Sequence, residues 1–242
     1  MMEALAIGLT AQRALEKAVE SISYNLANGS TAGFRASQVT FETFEGQIGG
    51  RPTSFVKNAS GYISGQRGSL SNTGNMLDIA ASEHGWFGVQ TADGIGYTKD
   101  GRFGINPNGL LVTSEQLPVT DSSGAAILLD PAGDAPRIKP DGSILQNGNL
   151  VGSLGIFVLP EDANLQRSTP LVFRSSRPGD AQTGENAKAT VLQGFLEMSN
   201  VNPLSEMTRL IAAQRLFEST TALLESCEAT FSDAVRTLGS RS

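Results

Sequence analysis

Apolar residues recur with the spacing of a helical seam near the amino-terminal end of the chain. From Leu5 to Leu26 the intervals alternate between three and four residues, which is the pattern of a heptad repeat. The seam consists of Leu5, Gly8, Gln12, Leu15, Val19, Ile22 and Leu26. Alanines beside the seam favour a helix, and Asn28-Gly29 supplies a stop, since glycine tolerates the left-handed conformation of a helix end. The pattern predicts a helix over residues 3–27.

A second heptad repeat occupies the carboxy-terminal end. The residues at strict seven-residue intervals are Leu210, Phe217, Leu224, Phe231 and Leu238, and those at the half-heptad positions are Met207, Gln214, Thr221, Glu228 and Val235. Asn202-Pro203 opens the stretch well, because an Asn side chain can cap an amide and proline at the first helical position loses no hydrogen bond. The pattern predicts a helix over residues 203–238, roughly 50 Å long at about 1.5 Å per residue.

Short apolar runs separated by turn dipeptides fill the middle of the chain. Asp-Gly and Asn-Gly pairs recur there, and they are typical of tight hairpins. We expect strands at residues 76–80, 86–91, 110–113, 127–129 and 154–159. Residues 29–70 carry Gly, Ser, Thr and isolated aromatics, which indicate an extended arm.

The order of these segments predicts an α+β fold of four parts: an amino-terminal assembly helix (1–28), an extended arm (29–70), a β-rich outer domain (71–200) and a carboxy-terminal assembly helix (201–242). We expect the two terminal helices to pack as an antiparallel, coiled-coil-like pair.

The two predicted helices differ in length, so the shorter cannot cover the whole apolar seam of the longer. Burying one Leu, Ile, Val or Phe side chain contributes on the order of 1.5–3 kcal/mol, so an uncovered seam calls for another surface. We prefer other copies of the chain or related chains as that surface. The alternative, that each helix packs on its own domain, stays open.

Charge and composition exclude several classes of protein. The net charge is −6 and no Lys/Arg run is present, which argues against a nucleic-acid partner. The longest apolar run, residues 156–159, is far too short to cross a bilayer, so we expect no membrane insertion. Because a basic leader and a long apolar stretch are missing at the start, we expect either a cytoplasmic protein or export without a cleaved signal.

The sequence offers no constellation for catalysis, metal or cofactor binding. His84 is the only histidine and Cys227 the only cysteine, and no phosphate-cradling or dinucleotide-binding glycine motif occurs. Asp93, Asp100 and Asp141 lie in turn dipeptides, where hydrogen bonding to the backbone explains them. We therefore predict no catalytic, metal-binding or cofactor-binding residues, although converging aspartates in a cell-wall carbohydrate-binding or hydrolytic domain remain an alternative.

Three stretches resemble the flagellar rod and hook protein family. At the end of the first helix, Asn25-Leu-Ala-Asn-Gly-Ser-Thr-Ala-Gly-Phe-Arg35 is similar to the family signature. The middle of the chain carries Gly85-Trp-Phe87 and Tyr97-Thr-Lys-Asp-Gly-Arg-Phe103, and Gln193-Gly-Phe-Leu-Glu-Met-Ser-Asn-Val-Asn202 precedes the second helix. The residues that match the family motifs are Asn25, Asn28, Thr31, Gly33, Phe34, Asn200 and Val201. Ser82-Glu83-His84 departs from the glycine-containing turn of relatives.

This resemblance implies a structural subunit of the flagellar basal-body rod, with no enzymatic activity. Length, Gly85-Trp-Phe87 and Phe217-Glu218 are most like the proximal rod subunit, and the distal rod subunit is the competing assignment. The family's terminal helices form the inner tube of the rod and its β domain the outer layer. Implied partners are copies of the chain, other rod proteins and the flagellar type III export machinery, which delivers subunits to the periplasm without signal cleavage.

Overall fold

The computed structural model describes residues 2–48, 51–82, 84–160, 163–182 and 189–239; the side chains of 2–7, 42–48, 51–60, 231, 234, 235 and 237–239 lie outside the description. The chain divides into two compact units. Unit 1 comprises Met1–Ala27, Ser37–Tyr62 and Asn202–Ser242, and unit 2 comprises Asn28–Ala36 and Ile63–Val201.

Unit 1 contains a helix from each end of the chain and one small sheet. Helix α1 spans Met2–Ala27 and helix α2 spans Pro203–Gly239, which confirms both predicted helical stretches. Strands β1 (Ser37–Ile48) and β2 (Arg51–Ile63) pair as a two-stranded sheet. At the start of α2 the Ser205 amide donates to Asn202 Oδ1 at 3.2 Å, as expected of an Asn cap.

The predicted coiled-coil-like pairing of the two helices is wrong. Among the described side chains of α2 only Glu206 is buried, and among those of α1 only Ala14 and Asn25 are. A coiled coil buries an apolar knob at each seam position, whereas Gly8 and Gln12 provide none. The result is an α+β fold with a helix at each end and antiparallel sheets between them, without a continuous buried seam.

The predicted strands of the middle region are largely present, and all but the strand at residues 86–91 are shorter than expected. The strands of unit 2 are β3 (Leu70–Asn72), β4 (Ile79–Ala81), β5 (Gly85–Thr91), β6 (Gly94–Thr98), β7 (Gly104–Ile105), β8 (Leu111–Val112), β9 (Arg137–Ile138), β10 (Ser143–Gln146), β11 (Asn149–Ser153), β12 (Ile156–Val158), β13 (Leu165–Arg167), β14 (Val172–Ser175), β15 (Asp180–Gln182), β16 (Val191–Gln193) and β17 (Phe195–Glu197). Residues 127–129 form no strand; Leu128 makes only an isolated bridge with Leu110. The division into four segments stays a prediction.

A six-stranded antiparallel sheet is the largest element of unit 2, in the order β13-β14-β6-β5-β12-β15. Hydrophobic residues from this sheet and from other strands form the main core of unit 2, among them Phe87, Leu111, Ile144 and Ile156. Strands β10 and β11 meet at Asn147-Gly148, where both residues have positive φ (51° and 78°). This hairpin fits the predicted use of Asn-Gly turns.

A second, aromatic cluster lies in the same unit. Trp86 meets Phe173 edge to face with ring centroids 5.5 Å apart, and Tyr97 meets Phe157 in the same way at 5.5 Å. At the departure from the family turn, the Gly85 amide donates to the Ser82 carbonyl at 3.0 Å, while Glu83 lies outside the described residues. In the described part of the chain, no helix is long and apolar enough to span a membrane.

Candidate assembly interface

The seam predicted for α1 is half-buried wherever its side chains are described. Leu5 lies in α1, but its side chain is outside the described set. The seam residues with intermediate exposure are Gly8, Gln12, Leu15, Val19, Ile22 and Leu26.

Two of these residues contact α2. A Cβ atom added at Gly8 would lie 2.4 Å from Cδ2 of Leu224, so the absence of a side chain at Gly8 allows the two helices to approach closely. One turn further along α1, Gln12 Nε2 donates to Thr221 Oγ1 at 3.5 Å. These contacts are local, and they leave part of each helix exposed.

The seam predicted for α2 is uneven in burial. Leu210, Phe217 and Leu224 are half-buried, whereas Met207 and Gln214 are exposed. Phe231 and Leu238 belong to α2, but their side chains lie outside the described residues. The contact of these seam positions with other subunits stays a prediction.

Sequence reasoning missed the most exposed apolar side chains of α2. Leu204 is 75% exposed, Ile211 52%, Leu216 54% and Leu223 67%, and none of them lies on the heptad seam. Their own spacing could have revealed them: Leu204, Met207 and Ile211 follow at intervals of three and four, and Leu216 and Leu223 are seven apart. We call Leu204, Met207, Ile211, Leu216 and Leu223 the exposed α2 set.

Asn25 of the family signature fixes the start of β1 within unit 1. Its Nδ2 donates to the Ser37 carbonyl at 2.8 Å, and the Ser37 amide donates to its Oδ1 at 2.9 Å. Asn25 Nδ2 also lies 3.3 Å from Glu206 Oε2, and Arg209 pairs with the other oxygen of Glu206 at 3.1 Å. Asn25 is therefore a buried structural contact between α1, β1 and α2.

The next motif residues belong to unit 2. The Thr31 amide donates to the Asn28 carbonyl at 3.1 Å, which closes a turn. Gly33 has φ 73°, and a Cβ there would lie 2.3 Å from the Asp100 nitrogen, so glycine is required both by conformation and by space. Phe34 is fully buried, and the Arg167 guanidinium lies 4.7 Å from its ring centroid.

Asn200 ties the segment after α1 to the segment before α2. Its Oδ1 accepts from the Ala36 amide at 2.7 Å, and its Nδ2 donates to the Gln66 carbonyl at 2.8 Å. Beside it, Val201 is half-buried and its amide donates to Ser199 Oγ at 3.2 Å. The motif residues after α1 and those before α2 are thus partly brought together in unit 2. The sequence did not predict this contact.

The aspartates considered for catalysis form hydrogen bonds and ion pairs with nearby groups of the chain. Asp100 is buried, binds Arg102 through both oxygens and accepts from Ser114 Oγ at 2.6 Å; its hydrogen bond raises the pKa of Arg102. Asp93 pairs with Arg174. The Ser143 amide donates to Asp141 Oδ1 at 3.0 Å, and this hydrogen bond lowers the pKa of the Asp141 carboxyl.

His84 and Cys227 are both exposed. Among the described residues, no group of three or more His, Cys, Asp or Glu side chains is arranged to hold a metal ion.

Comparisons with known proteins place two matches along the chain. A family model described as the flagellar hook protein FlgE/F/G D1 domain matches residues 80–188, and one described as the flagellar basal body rod FlgEFG protein C-terminal region matches residues 192–237.

Curated relatives match over nearly their whole length. The chain is 42% identical to the flagellar basal-body rod protein FlgF of Mesorhizobium japonicum over 242 residues, covering 100% of both chains. It is 35% identical to FlgF of Rhizobium meliloti, covering 99% of each. Similarity to the flagellar basal-body rod protein FlgG of Bacillus subtilis is lower, at 29% identity over 93% of this chain and 94% of the relative.

Proposed function

We propose, on the premise that this chain belongs to the FlgF family of flagellar basal-body rod proteins, that the exposed α2 set and the half-buried seams are the surface by which it is built into the rod. The chain is a structural subunit of the basal-body rod and assembles with other flagellar rod proteins. The family resemblance inferred from the signature motifs is confirmed.

The observation that carries the proposal is the apolar area left uncovered on α2. Among the described side chains of α2, five large apolar ones are exposed, from Met207 at 49% to Leu204 at 75%. Isolated exposed apolar residues are ordinary, but a helix with many of them signals an interface that is covered in the assembled state. Fully burying one such side chain contributes about 1.5–3 kcal/mol, so a few would favour association strongly.

Several finer features of the proposal follow from family membership. Copies of the chain itself are partners, and the flagellar type III export machinery delivers the subunit without signal cleavage to the periplasmic part of the basal body. The subunit has no catalytic activity of its own. This is supported by the structural role of the family and by the hydrogen bonds and ion pairs that Asp93, Asp100 and Asp141 make within the chain.

The proposal is tested by placing a charge in the exposed α2 set. Leu223→Asp and Leu204→Asp leave the isolated chain folded, because both side chains are exposed there, but a carboxylate buried in an interface costs several kcal/mol unless it is paired. We expect the amount of each variant recovered in isolated basal bodies to fall by at least about tenfold, which corresponds to roughly 1.4 kcal/mol. The swimming motility of cells that carry either variant should decrease as well.

Leu150→Asp is the matched control. Leu150 is 68% exposed, like Leu223 at 67%, but it lies on strand β11 of unit 2. This variant should enter basal bodies at the normal level. If both α2 variants assemble and swim normally while remaining folded by circular dichroism, α2 is not the assembly surface.

A further inference from the structure

A second line of regularly spaced residues runs along α2, on a different face from the predicted seam. Leu216 precedes Phe217 and Leu223 precedes Leu224, so each exposed leucine lies about 100° around the helix from a half-buried neighbour. The line consists of Ala212, Leu216, Ser219, Leu223, Ser226 and Thr230, and all six residues are exposed. We call these six residues the 212–230 stripe.

The spacing of the 212–230 stripe indicates the kind of surface that fits it. Its intervals alternate between four and three residues, which is the period at which one α-helix packs lengthwise on another. Side chains of a strand repeat every two residues and therefore do not match this period. From Ala212 to Thr230 the stripe is about 27 Å long at about 1.5 Å per residue. The fitting surface is thus a second helix that runs alongside α2.

The size of the side chains indicates a close approach of that helix. Ala212, Ser219 and Ser226 follow at intervals of seven, and Leu216 and Leu223 lie between them. The residues that flank the stripe are also mostly small, and Arg215 is the one charged residue among them; they are Ala213, Arg215, Thr220, Ala222, Cys227 and Ala229. The contact between α1 and α2 has the same character, since Gly8 leaves room for Leu224.

The hydroxyl groups of the stripe do not oppose burial. Ser219 Oγ donates to the Leu216 carbonyl at 3.0 Å, and Thr230 Oγ1 donates to the Ser226 carbonyl at 2.8 Å. A buried hydroxyl is costly only when it lacks a hydrogen-bond partner, and these two have partners within the helix. The stripe can therefore lose its water without help from polar groups of the other helix.

The area of the stripe decides between a free dimer and a larger assembly. A contact about 27 Å long and about 10 Å wide covers on the order of 300 Å² of each helix. Stable pairs of proteins bury about 800 Å² on each partner. The stripe alone is too small to hold two isolated chains together, so its occupant is a neighbour that other contacts also hold in place.

We propose that the 212–230 stripe receives an α-helix of an adjacent rod subunit, packed lengthwise and close enough that only small side chains fit at Ala212, Ser219 and Ser226. The inference rests on the proposed function of α2 as an assembly surface. It adds which face of the carboxy-terminal half of α2 is covered, the kind of element that covers it, and the size limit at the contact.

The first test is the reaction of single thiols with a maleimide. Cys227→Ser removes the native thiol, and Ser219→Cys, Ser226→Cys or Ser232→Cys then adds one of nearly the same size as the serine. Ser232 is the matched control, because it is exposed and lies about 180° around the helix from Leu223. We expect Cys at 219 and 226 to react at least about tenfold more slowly in isolated basal bodies than in the isolated chain, because a covered thiol reacts only when the contact opens. The thiol at 232 should react at similar rates in both.

The second test measures the size limit. Ser219→Phe leaves the isolated chain folded, because residue 219 is exposed there, but it should lower recovery in basal bodies at least about tenfold by overpacking the contact. Ser232→Phe is the same change at the opposite face and should be recovered normally. Normal assembly of Ser219→Phe would overturn the close helix contact, and so would equal losses in the two variants.

The outcomes also separate this inference from the proposed function. If Leu223→Asp blocks assembly but the thiol at 219 reacts as fast in basal bodies as in the isolated chain, α2 remains the assembly surface and the helix contact at the stripe is wrong. If Leu223→Asp and Leu204→Asp both assemble normally, both proposals are wrong. A stable dimer of the isolated chain by light scattering, with the thiol at 219 protected in it, would show that the occupant is a second free copy and not an adjacent rod subunit.

Discussion

At the scale of single residues, two glycines of unit 2 share a backbone conformation but not a packing environment. Gly33 has φ 73° and Gly74 has φ 70°, a region that costs other residues roughly 1–2 kcal/mol. A Cβ at Gly33 would meet the backbone of Lys99 and Asp100, whereas nothing lies within 4 Å of a Cβ at Gly74. The signature glycine is therefore required for close packing as well as for its conformation.

This pair of glycines makes a matched test. Gly74→Ala should lower the free energy of unfolding by about 1–2 kcal/mol for conformation alone, and Gly33→Ala by about 1–3 kcal/mol more because the added atom overlaps backbone. Denaturant unfolding followed by the fluorescence of Trp86, the only tryptophan, would measure both values. Equal losses in the two variants would contradict the close approach at Gly33.

A second residue-scale prediction concerns pH. The hydrogen bond from the Ser143 amide lowers the pKa of Asp141 in the folded chain. Such a group stabilises the fold above the ordinary carboxyl pKa of about 3.9, and this stability is lost as the pH falls through the lower folded pKa. Asp141→Asn should therefore be less stable than the unmodified chain at neutral pH, and the difference should shrink in acid. A difference that is constant with pH would exclude this contribution.

At the scale of elements, α2 depends on its first turn, where Asn202 serves as the cap. Its Oδ1 accepts from the Ser205 amide at 3.2 Å, while its carbonyl accepts from the Glu206 amide at 3.0 Å. Pro203 follows at the first helical position, where its missing amide costs nothing. A polar cap is needed because the first amides of a helix have no partner within the helix.

Removing the cap should have a limited and local effect. We expect Asn202→Ala to lower the free energy of unfolding by about 0.5–2 kcal/mol and Asn202→Gly by only a few tenths. In amide exchange, Ser205 should become faster in Asn202→Ala, while Glu206, which bonds to the backbone carbonyl, changes less. Equal stability of Asn202→Ala and the unmodified chain would show that the cap contributes nothing.

At the scale of the whole molecule, the two structural units do not correspond to continuous halves of the sequence. Each unit is assembled from separate stretches: unit 1 from both ends and residues 37–62, and unit 2 from Asn28–Ala36 and Ile63–Val201. The signature that follows α1 is therefore split, with Asn25 bonded to Ser37 in unit 1 and Phe34 buried in unit 2. A motif that looks continuous in sequence thus supports two structural units.

The two helices, the Asn202 cap, the Asn147-Gly148 hairpin and the family could all be predicted from the amino-acid sequence. These features depend on neighbours within a few residues or on motifs of fixed spacing, so a single sequence carries them. The coiled-coil-like pairing predicted from the heptad pattern was wrong. Periodicity indicates which residues share a helix face, but it does not indicate how completely a partner covers that face. Three features became evident only from the contacts of the folded chain. The described seam residues are at most half-buried, Leu204, Ile211, Leu216 and Leu223 of the exposed α2 set lie off the seam, and Arg35, Lys99 and Glu197 share one buried cluster. The physical reason is that burial and charge pairing depend on contacts between residues far apart in the chain, and local patterns do not record those contacts.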